Sequence, residues 1–453
     1  MAASPKSFIL GVDIGTSKVA AVVARHVTRN NTQTLEILGI GKAPNHGVSK
    51  GSIRNLTKTK EAIALAVDEA TARASVSYAD LEKLFANVNV GGAFVESKSE
   101  MGSITCKSPG NEVHDEDVRQ LFRDVYQTAA SENTEIVHLL PLQFGVGDES
   151  QIYDPVGHIG LRLSGDFKVI SAKKTALKQI QQSLREANPL LQDDTMVVSP
   201  LASGMAVLDS NHKRLGVVVV DIGAGTTDVA IYYDGLLRHL AILPYGGNLI
   251  TDDISEGCYL TTDSAEEAKI TLSETNPAEC SMNMLLVVPT ADGIPPIEVM
   301  AKNVALIAQA RLREMAALVH AEIRKSGYEK KLRAGIVLTG GTSKINGITT
   351  IFSDVTKMHV QIGSPKGLET TGLYDQLIND HSYATALGLV WANIKPLDER
   401  MTFSADLNEK GNASSENMPE NSKPRKGSWF SFDSLKETVG NFLSDDFKET
   451  DKF

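Results

Sequence analysis

Cysteine is scarce in this sequence. Of its 453 residues, only Cys106, Cys258 and Cys280 are cysteines. No two of them form a CxxC pair, and no tight cluster of histidine and cysteine accompanies them. This argues against a zinc site and against a disulfide framework, and it favours a reduced, cytosolic protein.

Long apolar runs are also missing. The longest, such as Val217–Val220 and Leu285–Val288, are far too short to cross a bilayer. The N-terminus, from Met1 to Ile9, lacks the apolar core of a signal peptide. We therefore expect any contact with a membrane to be peripheral.

An excess of positive charge is absent as well. The formal net charge is −11 at pH 7, whereas broad nucleic-acid binding usually needs a basic face. No nucleic-acid partner is therefore predicted. The rest of the composition, 42% apolar and 22% charged, is that of a soluble globular protein, and the length predicts two or more domains.

The chain opens with three segments typical of strands. Apolar runs at Phe8–Val12, Val19–Ala24 and Leu35–Ile40 are separated by turn-forming and polar residues. This pattern predicts neighbouring strands joined by turns. A helix is predicted at Thr57–Ala74, because apolar residues recur along one side of it.

The segment from about Leu84 to Val169 has a different character. It combines short β-type runs at Leu84–Val90, Ile136–Leu142 and Phe167–Ile170 with one amphipathic helix that follows Asp115–Asp117. Its size is typical of a small α+β insertion.

The pattern of the first strands then returns after a predicted helix at Lys174–Ala187. Strands are predicted at Leu215–Asp221, Asp228–Tyr233 and Leu236–Leu243. The first of them ends in Val220-Asp221-Ile222-Gly223-Ala224-Gly225-Thr226, which resembles Gly11-Val12-Asp13-Ile14-Gly15-Thr16 near the start. This internal repeat is too widely spaced for a solenoid and predicts two related α/β domains that face each other.

Each repeat ends a strand with an aspartate and continues into a turn of small and hydroxylated residues. Backbone N–H groups in such a turn can point at phosphate oxygens, and serine and threonine hydroxyls add further donors. Asp13 and Asp221 are anionic like phosphate, so they are predicted to hold Mg²⁺ through water. Two such hairpins, one in each domain, would grip a triphosphate from both sides.

A third element completes the set. Ile336-Val337-Leu338-Thr339-Gly340-Gly341 is predicted to be a buried strand that ends in a glycine pair, where the backbone can pass close to a base or ribose. Glu266 and Lys269 lie three residues apart on one predicted helix face and could reach the same nucleoside.

Each of these motifs alone is also typical of an ordinary turn or helix cap. Two DIG turns followed by a TGG element, in this order, are much harder to explain by chance. Neither a GxxxxGK[ST] P-loop nor a GxGxxG dinucleotide motif is present.

The composition changes again after about Lys395. Residues Asp398–Ser428 are rich in Asn, Ser, Glu, Lys and Pro, as in a flexible linker. The last stretch, Trp429–Phe447, is periodic and predicts an amphipathic helix that inserts into the membrane interface. Its apolar stripe consists of Trp429, Phe432, Leu435, Val439, Phe442 and Leu443. The alternative is a helix that docks on the protein body or on a partner.

The three motifs, in this order, resemble those of the actin, sugar-kinase and heat-shock chaperone superfamily, and within it the FtsA family of bacterial cell-division proteins. The resemblance covers nearly the whole chain, with its strongest stretches at Leu215–Ala230, Leu237–Asn248, Ala334–Gly341 and Tyr383–Leu389. It implies an α/β, actin-like two-domain ATPase fold of duplicated ribonuclease-H-like domains. It also implies an FtsA-type α+β insertion subdomain (SHS2) and a C-terminal amphipathic helix.

The resemblance also implies the residues of the site. The first phosphate loop would be formed by Asp13, Gly15, Thr16, Ser17 and Lys18, and the second by Asp221, Gly223, Gly225, Thr226 and Thr227. Gly246, Gly247 and Asn248 would open a helix near the nucleotide, and adenosine would lie among Glu266, Lys269, Gly340 and Gly341. Arg311, in the helical region Pro296–Ser326, is the implied contact for the C-terminal peptide of FtsZ, the tubulin-like division protein; a surface arginine without a partner is the plainer alternative. No catalytic residue is predicted.

The predicted division of the chain follows from the resemblance and the composition. Residues 1–83 and 171–212 belong to the first actin-like domain, 84–170 to the insertion, and 213–250 and 334–395 to the second actin-like domain. Residues 251–333 form a nucleotide- and partner-binding subdomain, 396–427 the linker and 428–453 the membrane-targeting helix.

The implied function is that of an ATP- and Mg²⁺-binding division protein, with ATP hydrolysis left open. It would polymerise with itself, anchor FtsZ filaments of the Z ring to the cytoplasmic face of the inner membrane through lipid contacts, and help to recruit later division proteins. Two alternatives use the same nucleotide fold. One is an actin-like ATPase of pilus assembly, and the other is a sugar kinase, for which the sequence has no distinct sugar-site signature.

Overall fold

A computed structural model of the protein describes residues 8–29, 32–76, 85–189, 191–272, 274–280, 284–289, 295–370, 374 and 379–392. The predicted linker and terminal helix lie outside these residues. The same holds for every member of the predicted membrane stripe, Trp429, Phe432, Leu435, Val439, Phe442 and Leu443.

The described residues form strands and helices in alternating groups. The strands are β1 (Phe8–Ile14), β2 (Lys18–Arg29), β3 (Thr32–Pro44), β4 (Val48–Ser49), β5 (Ser52–Ile53), β6 (Phe85–Val90), β7 (Val95–Thr105), β8 (Thr134–Val146), β9 (Glu149–Ile152), β10 (Arg162–Lys173), β11 (Gln192–Val198), β12 (Val217–Ile222), β13 (Thr227–Tyr233), β14 (Leu236–Leu243), β15 (Leu285–Val288), β16 (Ile297–Met300), β17 (Ile336–Thr339), β18 (Val360–Ile362) and β19 (Leu368–Thr370). The α-helices are α1 (Leu56–Ala74), α2 (Asp115–Ala129), α3 (Lys174–Ala187), α4 (Ser199–Val207), α5 (Ser210–Leu215), α6 (Asn248–Cys258), α7 (Thr262–Thr271), α8 (Ala301–Lys325), α9 (Ile348–Thr356) and α10 (Ala384–Trp391).

The first sheet has six strands in the order β11-β6-β1-β2-β3-β19. β1, β2 and β3 form an antiparallel meander, as the alternation of apolar runs and turns predicted. On the far side of β1, β6 and β11 continue the sheet in parallel. α1 covers this sheet with the side that carries Ile63, Ala66, Val67 and Ala70, all buried.

The second sheet repeats this arrangement in the order β14-β13-β12-β17-β18. β12, β13 and β14 form the antiparallel meander, and β17 and β18 continue it in parallel beyond β12. The predicted internal repeat is therefore confirmed: five strands of the first sheet have the same arrangement as the five strands of the second, and the turns that follow Asp13 and Asp221 each connect the first two strands of a meander.

The insertion between β6 and α3 is a four-stranded antiparallel sheet in the order β7-β10-β8-β9. The amphipathic helix α2 packs on it and buries Val118, Leu121 and Phe122. Phe122 meets Phe167 of β10 edge to face, with ring centroids 5.0 Å apart. The insertion thus has a hydrophobic core separate from those of the two large sheets.

The helices α6, α7, α8 and α9 and the small sheet β15–β16 share one core with the second large sheet. The 25-residue helix α8 buries one face, including Val304, Leu312 and Ile323, against it. Among the described residues, no helix combines the length and the apolar character that are needed to cross a membrane.

The structure differs from the predicted division of the chain in two places. The strand predicted at Leu84–Val90 was assigned to the insertion, but β6 pairs with β1 and β11 inside the first sheet, because its buried residues extend the core there. Residues 334–395 were assigned wholly to the second domain, but β19 pairs with β3, and α10 packs on α4 and β1. The chain therefore returns to the first domain after β18.

Candidate nucleotide-binding site

The first predicted phosphate loop is the hairpin between β1 and β2. The Gly15 amide donates to the Lys18 carbonyl at 3.0 Å, which closes the turn. Asn45, just after β3, fixes it from outside: its side-chain amide donates to the Gly15 carbonyl at 2.8 Å, and its backbone amide donates to the Ser17 carbonyl at 2.9 Å. Asn45 is buried, so this support is shielded from water.

The second loop is the matching hairpin between β12 and β13. The Gly223 amide donates to the Thr226 carbonyl at 2.9 Å, as in the first hairpin. The amides of Gly247 and Asn248 donate to the carbonyls of Gly223 and Ala224 at 2.9 and 2.8 Å. The start of α6 is thereby joined to the hairpin, where the sequence predicted a helix near the nucleotide.

The two hairpins meet. Gly225 is buried, and a Cβ atom added to it would overlap the Thr16 side chain. Only glycine therefore allows this approach. Within the described residues, the backbone amides of Thr16, Ser17, Ala224 and Gly225 have no backbone acceptor. The structure thus brings together two turns whose N–H groups are available to an anion.

Three aspartates, Asp13, Asp221 and Asp228, lie on the strands that form the two hairpins. Asp221 accepts a hydrogen bond from the Thr385 hydroxyl at 2.9 Å, and Asp228 is its partner in the β12–β13 register. Loss of hydration and repulsion from Asp221 raise the pKa of Asp13 to about 7. Burial likewise raises the pKa of Asp221 and of Asp228, and one carboxylate oxygen of Asp228 is buried without a hydrogen-bond partner in the described part of the chain. Such a group of carboxylates favours a nearby cation.

Lys18 supplies positive charge at the first hairpin. Its ammonium donates to the Ser382 hydroxyl at 2.9 Å and lies 3.9 Å from the centre of the Tyr383 ring. Burial lowers its pKa to about 8, and the nearby Asp13 and Asp380 oppose this change. The first loop therefore contacts the 3₁₀ turn His381–Tyr383, which directly precedes α10.

Glu266 and Lys269 share one face of α7, as predicted, and form an ion pair at 2.6 Å. The Lys269 ammonium also donates to Thr251 and to the Gly247 carbonyl, at 2.9 and 3.2 Å. Lys269 is buried, so it connects α7 firmly to the start of α6.

The Thr339-Gly340-Gly341 element lies beside the second hairpin. A Cβ atom on Gly340 would overlap a carboxylate oxygen of Asp221. The Thr342 hydroxyl donates to the Gly223 carbonyl at 3.0 Å. The third motif therefore adjoins both Asp221 and the second loop.

These residues fit a nucleoside triphosphate with Mg²⁺. The free amides of two opposed turns and the Lys18 ammonium suit phosphate oxygens, and the aspartates suit a hydrated divalent cation. Glu266 and Lys269 adjoin the start of α6, on the side expected for the nucleoside. A bound triphosphate would supply negative charge, and it would be large enough to contact both hairpins.

Arg311 lies outside this site. It is on α8, and its guanidinium forms a two-pronged ion pair with Asp253 of α6, at 2.6 and 2.8 Å, and a second pair with Glu314. These bonds raise its pKa further. Arg311 therefore has partners within the chain, unlike the surface arginine of the plainer alternative.

The sequence analysis missed several residues that support the site. Asn89 accepts a hydrogen bond from the Ile14 amide at 2.7 Å, Thr385 bonds Asp221, and Asn45 holds the first turn. All three lie at least 25 residues from the loop that they support, so local motifs do not reveal them. Asp228 could have been found, because it follows Asp221 by seven residues on the facing strand.

Two sheets of one topology, joined at paired aspartate hairpins, define a protein of the actin-like class. A family model described as "Cell division protein FtsA" matches residues 218–388, and one described as "SHS2 domain inserted in FTSA" matches residues 92–171. The fold is accordingly α/β and actin-like, with an SHS2 insertion.

Two curated relatives match most of the chain. The cell division protein FtsA of Pseudomonas aeruginosa is 32% identical over 87% of this chain and 91% of its own length. That of Neisseria meningitidis is 32% identical over 86% of this chain and 90% of its own. The chain belongs to the FtsA family of cell division proteins. A solved PilM–PilN type IV pilus biogenesis complex shares the fold, with a TM-score of 0.60, 15% identity, and coverage of 86% of this chain and 100% of that one.

Proposed function

We propose that this protein binds ATP with Mg²⁺ between its two hairpins and anchors FtsZ filaments to the cytoplasmic face of the inner membrane. The observation that carries the nucleotide part is the contact of Thr16 with Gly225, which places two sets of unpaired amides side by side. Membership of the FtsA family supports the role in division.

Each part of the site has a proposed role. The phosphates are held by the amides and hydroxyls of Gly15, Thr16, Ser17, Gly223, Gly225, Thr226 and Thr227, together with Lys18. Asp13 and Asp221 hold Mg²⁺ through water. Gly246, Gly247, Asn248, Glu266, Lys269, Gly340 and Gly341 surround adenosine and its ribose. We assign no residue to hydrolysis, and ATP acts here as a ligand that joins the two domains.

The membrane part rests on the C-terminal sequence. Burying Trp429, Phe432 and the rest of the membrane stripe in the lipid interface would contribute several kcal/mol, at roughly 1.5–3 kcal/mol for each fully buried large side chain. We therefore propose a peripheral location at the inner membrane of the division site. Self-polymerisation and the recruitment of later division proteins complete the proposed role.

The FtsZ contact is proposed on the polar side of α8, where Arg311 lies. The apolar side of α8 is buried in the core of the second domain and is unavailable to a peptide. The ion pairs of Arg311 with Asp253 and Glu314 hold its guanidinium in place. An acidic peptide would therefore bind a guanidinium that is already held in a fixed position by two carboxylates of the chain.

Co-sedimentation with lipid vesicles and FtsZ filaments tests the proposal. The intact chain should carry FtsZ filaments into the vesicle pellet when ATP and Mg²⁺ are present. Truncation after Gly427 should abolish vesicle binding but leave FtsZ binding intact. Trp429→Glu should reduce vesicle binding almost as much, and it should also leave FtsZ binding intact. A truncated chain that pellets with vesicles as well as the intact one would refute the membrane anchor.

The alternative of a pilus-assembly ATPase has support at the level of fold only, from the PilM–PilN similarity at 15% identity. The same experiment separates the alternatives. A pilus-assembly protein or a sugar kinase should not bring FtsZ filaments to vesicles.

A further inference from the structure

The turn at residues 380–383 adjoins the nucleotide site but belongs to none of its three motifs. It comes directly before α10, which packs on α4 and β1 of the first domain. One of its side chains reaches the first hairpin, although Lys18 and Ser382 are 364 residues apart in sequence. We call residues 380–383 the bridging turn.

The bridging turn is fixed to the second domain. The His381 carbonyl accepts hydrogen bonds from the Gly340 amide at 3.2 Å and from the Thr339 hydroxyl at 3.4 Å, at the end of β17. Asp380 forms an ion pair at 2.6 Å with Lys344, which follows the glycine pair. The bridging turn is therefore attached to the third motif of the site.

Hydrogen bonds within the bridging turn also fix its shape. The Asp380 carboxylate accepts from the Ser382 amide at 2.9 Å, and the Asp380 carbonyl accepts from the Tyr383 amide at 3.0 Å. The Tyr383 side chain is buried. The positions of the Ser382 hydroxyl and the Tyr383 ring are therefore determined by the fold itself.

The Lys18 side chain contacts both of these groups. Its ammonium donates to the Ser382 hydroxyl at 2.9 Å and lies 3.9 Å from the centre of the Tyr383 ring, whose face attracts a cation. Within the described part of the chain Lys18 forms no ion pair, although Asp13 and Asp380 are near enough to oppose the fall in its pKa. An ammonium has three donors, so Lys18 can donate to a phosphate oxygen without losing its bond to Ser382.

We propose that Ser382 is a positioning residue for phosphate binding, because it holds the Lys18 ammonium in the phosphate site together with the Tyr383 ring. A lysine side chain has high rotational freedom, and fixing it when a ligand binds costs free energy. A partner that fixes it beforehand lowers this cost. Since the bridging turn is attached to the second domain, the phosphate affinity of the first hairpin then depends on both domains. The inference rests on the proposed binding of ATP between the hairpins and adds to it a residue from outside the three motifs.

The variant Ser382→Ala of the full-length chain tests the inference. It removes the hydroxyl that accepts from Lys18, so the affinities for ATP and for ADP should each fall about fivefold, which corresponds to about 1 kcal/mol. Titration calorimetry in Mg²⁺ measures both affinities. Ser382→Thr keeps the hydroxyl and should restore them. Adenosine has no phosphate, so the rise in melting temperature that it produces should be the same in the wild type and in Ser382→Ala.

A second background shows whether Ser382 acts through Lys18. Lys18→Met removes the ammonium but keeps a long unbranched side chain, and it should itself weaken ATP binding. Adding Ser382→Ala to Lys18→Met should then cause no further loss. The matched control is Ser183→Ala on α3, which removes a hydroxyl hydrogen bond of 2.8 Å to the Gln179 carbonyl. This variant should bind ATP as the wild type does, because Ser183 belongs to none of the motifs of the site.

Two results would overturn the inference while the proposed function stands. One is a Ser382→Ala variant that binds ATP and ADP as tightly as the wild type does. The other is an equal loss of affinity with and without the Lys18 ammonium, which would mean that Ser382 supports the turn and not the lysine. If the wild type itself binds no ATP, the proposed function fails, and the inference fails with it.

Discussion

The Thr16 side chain occupies the space that a Cβ atom of Gly225 would need. The first residue is in the turn of one domain and the second is in the equivalent turn of the other. Their contact sets the distance between the two hairpins and so the width of the proposed phosphate site.

We expect Gly225→Ala to force the hairpins apart and to weaken ATP affinity by about tenfold or more, which corresponds to at least about 1.4 kcal/mol. The clash involves Oγ1, Cβ and Cγ2 of Thr16. Adding Thr16→Ala should therefore restore part of the affinity, since it removes two of these three atoms. Titration calorimetry of both single variants and the double variant measures this coupling. Additive effects would contradict a steric link between the turns.

The metal role of Asp221 predicts a specific pattern of nucleotide affinity. Asp221→Asn keeps the size of the side chain but removes its charge, so ATP affinity in Mg²⁺ should fall to about the value measured in EDTA. The control is Thr385→Val, which removes the hydrogen bond to Asp221 and leaves the carboxylate. It should retain most of the Mg²⁺ dependence. Unchanged Mg²⁺ dependence in Asp221→Asn would assign the metal to other groups.

The sequence predicted the repeated sheets and the paired turns because both depend on local patterns. The runs around Asp13 and Asp221 give strand, turn and strand directly, and α7 brings Glu266 and Lys269 together by helical spacing alone. The return of β19 and α10 to the first domain was missed. Those segments contact strands and helices that lie far away in sequence, as in the pairing of Leu368 with Leu35, and no short pattern specifies such pairings. The support of Asn45 for the first turn was missed for a similar reason.

His138 predicts a pH dependence of stability. It is buried in β8, its Nε2 accepts a hydrogen bond from the Val198 amide at 3.1 Å, and burial lowers its pKa from 6.5 to about 3. Between these values the unfolded chain binds a proton that the folded chain does not, so stability falls as the pH falls through this range.

Between pH 7 and pH 5 the wild type should therefore lose about 2 kcal/mol more stability than His138→Gln, in which the side-chain oxygen can still accept from Val198. Urea denaturation at the two pH values measures both losses. Equal losses in the two proteins would mean that His138 is accessible to protons in the folded state.

The ion pair between Arg311 and Asp253 allows a sharp test of the proposed FtsZ contact. Arg311→Glu places a negative charge where an acidic peptide would bind, so affinity for the FtsZ C-terminal peptide should fall by about tenfold or more. Asp253→Asn is the matched opposite: it removes the two-pronged partner of Arg311 but keeps the cation. The guanidinium then pairs with one carboxylate fewer within the chain and is more available to the peptide. The peptide should therefore bind to this variant as tightly as to the wild type, or more tightly. Fluorescence anisotropy with a labelled peptide measures both affinities. If both variants weaken binding equally, the pair acts by holding α6 against α8, and the peptide contacts another part of the surface.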